Sequence, residues 1–225
     1  MPDPDITEFT RNALMAHADP ARIAQMQAYL KTGQPFLGVM ADGRVEVVRQ
    51  VDARFPARDV RENERQVARL WKGPEREMQY VAIGLARRRR KLVGAGSLPL
   101  YERMIREGAW WDLVDEIAIH LVGVAALAEP AVVRSAMDGW IVDPDMWIRR
   151  TAIIFQNRHR LKTDESRLFR FCLERAHEKE FFIRKAIGWA LRDYAKTNPE
   201  AVRAFVEENR ERLSGLSIRE ALKHF

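Results

Sequence analysis

A single cysteine, Cys172, rules out an internal disulfide and any cysteine-based zinc cluster, and a reducing cytoplasm is the natural setting. Long hydrophobic runs are also lacking. The longest, Leu121 to Ala128, is eight residues, far short of a bilayer span, so no membrane partner is expected. The opening Met1-Pro-Asp-Pro-Asp5 has neither the basic start nor the apolar stretch of a secretory signal. There is no glycine-rich phosphate loop, no nucleophile elbow and no His/Glu motif at metal spacing. His17, His120, His159, His177 and His224 are scattered, and none is assigned as a ligand. Neither a cofactor nor a metal is therefore expected. Alternating strand-type patterns are scarce as well.

What is present is a basic, helix-patterned chain. Its 225 residues hold 38 Lys+Arg against 32 Asp+Glu, a net charge of +6, with 47% apolar and 31% charged residues. That balance excludes a disordered chain, and a pI near 9.7 favours a polyanionic partner. Helical periodicity is nearly continuous. Asp19-Pro20, Gly73-Pro74, Glu129-Pro130, Asp143-Pro144 and Asn198-Pro199 each pair a cap or stop with a proline suited to a first helical turn. The spacing predicts about a dozen helices of roughly 8 to 18 residues in one all-α domain, 1–225. Gln34 to Arg44 is the least helical stretch, with three glycines within or beside it.

Internal similarity sharpens the fold. Trp147-Ile-Arg-Arg-Thr151 and Phe182-Ile-Arg-Lys-Ala186 share one pattern, displaced by 35 residues, and a helix near Trp111 lies 36 before Trp147. Ala82-Ile-Gly-Leu-Ala86 recurs as Ala186-Ile-Gly-Trp-Ala190. A period in the mid-thirties is the mark of a helical-repeat solenoid, whose concave surface suits an extended ligand. Coincidence between short helical words is the competing explanation.

The charge is concentrated. From Met146 to Arg192 there are twelve Lys/Arg against five acids. Lys185, Trp189 and Arg192 fall at i, i+4 and i+7, and the repeat register puts Arg150 where Lys185 stands, so both cations are expected to point the same way. Cations around an aromatic suit a nucleic-acid backbone, and solvated helix faces are the plainer alternative. Arg87 to Lys91 points all round its helix and is expected to be a solvated end. On the helix from Ala109, Trp110, Leu113, Val114, Ile117 and Leu121 form the core stripe. Asp112, Glu116 and His120 form a polar wedge, and Trp111, Asp115, Ala118 and Val122 a third face. An acid among apolar residues needs compensation, by an ion pair to Arg150 or Lys185 or by a catalytic role. Cys172, in Phe169-Arg-Phe-Cys-Leu173, reads as a small buried hydrophobe.

Trp110-Trp-Asp-Leu-Val-Asp115, Trp147 to Gln156 and Glu180 to Arg192, in order along the chain, resemble the AlkD-type DNA alkylation repair glycosylases. So do Gln34-Pro-Phe-Leu-Gly-Val39 and Ser217 to His224. The resemblance implies HEAT-like repeats around a concave basic cleft. By motif position it implies Asp115 as the catalytic aspartate, Trp111 and Trp189 as aromatic walls, and Arg150 as the active-site arginine. It places Arg158 and Arg160 among basic backbone contacts and Tyr29 as an aromatic beside the cleft, with Lys185 and Arg192 as further DNA contacts. Met40-Ala-Asp-Gly-Arg44 departs from the family pattern of a basic residue and a Thr-Pro turn. The implied activity is hydrolysis of the N-glycosidic bond of cationic N3- or N7-alkylated purines in double-stranded DNA, by a monomer, without base flipping and without a lyase lysine. The alternatives are a non-catalytic HEAT-repeat protein that binds damaged or branched DNA, and a protein-interaction scaffold.

Overall fold

The computed structural model describes residues 5–223; the opening Met1 to Pro4 and the closing His224 and Phe225 lie outside the described residues. The chain groups into two compact units, one up to Val93 and one from Gly94 onwards. Among the described residues both are built from helices alone.

The first unit holds α1 (Ile6–Met15), α2 (Ile23–Leu30), α3 (Ala41–Arg54), α4 (Val60–Trp71) and α5 (Arg76–Arg88). Asp5 and Asp59 accept from backbone N–H groups in the first turns of α1 and α4, caps worth about 1 kcal/mol each. Residues 33–40 are non-helical as expected, but 41–44 already belong to α3. Arg44 there donates to the Val39 carbonyl at 2.8 Å and lies over the Tyr80 ring at 4.6 Å.

The Gln34–Val39 segment is held by α5. Buried Glu77 accepts from the N–H groups of Leu37, Gly38 and Val39 at 2.9–3.1 Å. Arg76 donates to the Gln34 side chain at 2.7 Å. Glu77→Ala leaves three N–H groups without an acceptor, at about 1–3 kcal/mol each where they are buried. We expect that variant to lose about 3 kcal/mol or more in denaturant unfolding, with Glu77→Gln recovering part. The arginine run differs from expectation. Arg88 and Arg89 both reach Asp52 at 2.7 Å, and Arg89 is buried, donating also to Gln66 and the Phe55 carbonyl. Arg87, Arg88, Arg90 and Lys91 are exposed, as expected of a solvated end.

The second unit runs α6 (Leu98–Gly108), α7 (Trp111–Ile117), α8 (Gly123–Ala128), α9 (Pro130–Trp140), α10 (Met146–Ile154), α11 (Glu165–Glu174), α12 (Phe181–Ala195), α13 (Pro199–Glu208) and α14 (Gly215–Ala221). The fourteen α-helices among the described residues exceed the expected dozen only slightly, and α7, α8 and α14, at seven, six and seven residues, are shorter than the expected range. Proline marks the starts of α9 and α13 as expected. At Asp143-Pro144 the helix begins later, because the Asp143 carboxylate accepts the Asp145 N–H at 2.8 Å and Asp145 becomes the cap of α10. α10 is central, with Trp147, Ile148, Ala152, Ile153 and Ile154 all buried. Cys172 is fully buried, and burial pushes its thiol pKa strongly up, so it stays a protonated core residue.

Cross-links repeat at the sequence period. Arg150 meets Asp115 at a separation of 35, Arg158 meets Asp193 at 35, His159 meets Gly123 at 36, and Arg106 meets Asp143 at 37. In the first unit Arg88 and Arg89 meet Asp52 at 36 and 37. Within each unit a repeat is bonded to its neighbour, as stacked helical units require.

Candidate functional site

The acid singled out in the sequence lies one turn into α7, and its partner comes from the next repeat. Arg150 Nε donates to Asp115 Oδ1 at 2.7 Å and Nη2 donates to Oδ2 at 2.8 Å, a two-pronged pair. The third prong, Nη1, donates to the Phe182 carbonyl at 2.5 Å, at the start of α12. The side chains are only 14% and 5% exposed, so both charges are largely withdrawn from water. Burial pushes the Asp115 carboxyl above its ordinary range, Arg150 pulls it down, and Asp112 and Glu116 add smaller upward pushes. Two donors on two oxygens are the arrangement an ionised carboxylate accepts from a guanidinium fork.

An aromatic cluster reaches the arginine through Phe182. Trp110, Trp147 and Phe182 pack with centroids 4.9–5.8 Å apart, and the Arg150 guanidinium sits 5.9 Å from the Phe182 ring. Trp110 is the N-cap residue of α7 rather than a helical core position, and its buried indole N–H has no hydrogen-bond partner. Phe182 joins the site without having been singled out by sequence reasoning. The signal that could have found it is the aromatic at the head of the repeated word that also contains Trp147.

Trp111 is the first residue of α7, half-buried and one turn before Asp115. The helix does not continue regularly. Ala118–Val122 forms a π turn before α8, a feature frequent at functional sites. The extra residue in this turn rotates the remainder of the helix, and Ala118 and Val122 are fully buried. His120, expected to face solvent, has a side chain only 12% exposed, 3.7 Å from Glu116.

Trp189 is half-buried on α12, one turn from both Lys185 and Arg192. These cations do not point the way Arg150 does. Lys185 and Arg192 converge on Glu220 of α14, at 2.9 and 3.0 Å. Residues 115, 150, 185 and 220 share one register, with charges acid, base, base, acid. Arg150 therefore pairs backwards along the chain and Lys185 forwards. A Cβ at Gly188 would lie 2.5 Å from Glu220 Cβ and 2.7 Å from the Ser217 carbonyl, so α14 seats closely on α12 only because glycine is there.

Arg158 and Arg160 stand exposed on the loop after α10, and Tyr29 is 73% exposed on α2 of the first unit. Among the described residues no group of His, Cys, Asp or Glu is placed to hold a metal ion, and no helix is long and apolar enough to cross a membrane.

Comparison with known proteins agrees with this architecture. A structure described as a predicted DNA alkylation repair enzyme from Enterococcus faecalis is 28% identical, with a TM-score of 0.81 over 93% of this chain and 97% of that one. AlkD2 from Streptococcus mutans is 16% identical, with a TM-score of 0.60 over 89% and 96%. The smu.31 protein from Streptococcus mutans UA159 is 13% identical, with a TM-score of 0.63 over 96% and 99%. These last two show the shared helical-repeat fold alone. No curated protein matches. The model of the DNA alkylation repair enzyme family matches residues 10–225, and the chain belongs to that family.

Proposed function

We propose that the protein is a monofunctional DNA glycosylase that excises cationic N3- and N7-alkylated purines, such as 3-methyladenine and 7-methylguanine, by hydrolysing the N-glycosidic bond. The observation that carries this reading is the buried Asp115–Arg150 pair, a carboxylate held at fixed geometry beside an aromatic cluster. Alkylation at ring nitrogen places a positive charge on the base, which then leaves with the bonding electrons and becomes neutral. The deoxyribose left behind has oxocarbenium character. A pre-organised carboxylate stabilises that charge and orients the water that adds to the sugar carbon. Trp111 and Trp189 hold the cationic nucleoside through cation–π contact. Arg150 fixes the carboxylate, and Arg158, Arg160 and Tyr29 contribute to holding the duplex.

A site that relies on the lesion's own charge has little leverage over neutral bases. Incubation with duplex containing 7-methylguanine should release free base well above the spontaneous rate, whereas uracil-containing duplex should release none. Duplex binding without release would replace this reading with that of a non-catalytic DNA-binding relative.

A further inference from the structure

Of the twelve cations between Met146 and Arg192, seven are tied up in ion pairs: Arg149, Arg150, Arg167, Arg170, Arg175, Lys185 and Arg192. Five have no ion-pair partner among the described residues. Three of those five, Arg158, Arg160 and Lys162, lie in one short loop, and all three are exposed.

The loop is rigidly built. The Gln156 amide closes its base, accepting from the Asp164 N–H at 2.8 Å and donating to the Asp164 carbonyl at 3.3 Å. Buried His159 plugs inwards, with Nε2 donating to the Gly123 carbonyl at 2.9 Å. A Cβ at Gly123 would lie 2.4 Å from the Phe155 carbonyl, so this seat requires glycine. The Arg158 N–H donates to the Asp193 carboxylate at 2.5 Å. Arg158 and Arg160 adopt left-handed backbone, φ +75° and +55°, which non-glycine residues keep only where the surroundings over-determine it. Between these cations stands Leu161, 90% exposed, the most exposed large hydrophobic residue described.

A loop held this firmly need not present an apolar side chain by accident of flexibility. Phosphates can pair with the flanking cations but offer nothing to a leucine. Sugar edges and the groove floor between two phosphate rows offer apolar surface. We propose that Leu161 enters a groove of the bound duplex while Arg158, Arg160 and Lys162 hold the phosphates on either side. This assignment rests on the DNA-repair reading and names a contact that the reading does not contain. An anionic bilayer is the other surface that suits an apolar tip among cations, but one leucine buries too little there for stable attachment.

Duplex affinity measured against salt concentration tests the idea. Leu161→Ser should weaken binding about 3- to 10-fold with the salt slope unchanged, because no phosphate contact is lost. Arg158→Ala and Arg160→Ala should each reduce the slope by about one. Leu161→Lys separates groove entry from simple phosphate binding: it should stay weaker than wild type. The position is exposed, so thermal unfolding of all these variants should match wild type. Wild-type affinity in Leu161→Ser, or tighter and more salt-dependent binding in Leu161→Lys, would overturn the loop's role while leaving the glycosylase reading intact. So would duplex binding equal to wild type in a Leu161→Ser variant that has lost affinity for phosphatidylserine vesicles. Failure of the wild-type protein to bind any duplex would overturn both.

Discussion

Asp115→Asn should reduce release of 7-methylguanine by about 10²–10⁴-fold, to near the spontaneous rate, while the helical fold and most duplex affinity survive. The amide is nearly the same size and still offers one oxygen to the Arg150 fork, but it has no negative charge to set against the developing oxocarbenium. The pH profile adds a second check. Burial raises the Asp115 carboxyl above its ordinary value, so protonation should switch off wild-type kcat/KM at a pH above the usual carboxylate range. The residual activity of the asparagine variant should lack that acidic limb. Unchanged excision by Asp115→Asn would remove the carboxylate from its role.

Arg150→Ala carries the largest expected loss of stability. It leaves a carboxylate whose side chain is 14% exposed without its two donors. Breaking a buried pair on one side typically costs about 3–5 kcal/mol, because the stranded charge is desolvated and uncompensated. Combining it with Asp115→Asn should recover part of the loss, since the double variant buries no lone charge, and a double-mutant cycle measures that coupling. The pH dependence has a definite sign. Arg150 is the influence that lowers the Asp115 pKa, so without it the folded value rises further above the unfolded one. The folded state then binds more protons than the unfolded state between those two values. Stability of Arg150→Ala should be best below the unfolded pKa and fall as pH rises through the folded one. Its deficit against wild type therefore shrinks on acidification. A deficit independent of pH would mean that the cost is lost packing rather than a stranded charge.

Most of the fold was legible from periodicity, since the helix-pair spacing depends on local pattern and recurs in the cross-links at 35 to 37 residues. The Asp115–Arg150 pair was legible for the same reason, being one repeat apart on polar positions of apolar faces. The features that escaped depend on irregular backbone or on which neighbour a side chain chooses. A regular helical wheel cannot show the π turn at Ala118–Val122 that draws His120 inwards. Charge counting cannot show that Glu220 takes up both Lys185 and Arg192, or that Arg89 is buried in its own network. Arg158 and Arg160 were visible as residues, but the strained, clasped loop that presents them was not, because left-handed backbone at arginine has no local sequence signature.

The Asp115–Arg150 bond spans the seam between two consecutive repeats, and the Phe182 carbonyl brings in a third. Tolerance to length change should therefore be uneven along the chain. Adding or removing a whole repeat at either end disturbs only nearest-neighbour contacts and leaves these three units adjacent. Inserting one between Asp115 and Arg150 would preserve each module and most of the folding energy, yet part the acid from its arginine. The pair belongs to a junction, and a repeat protein can grow or shrink everywhere except where two of its repeats share one ion pair.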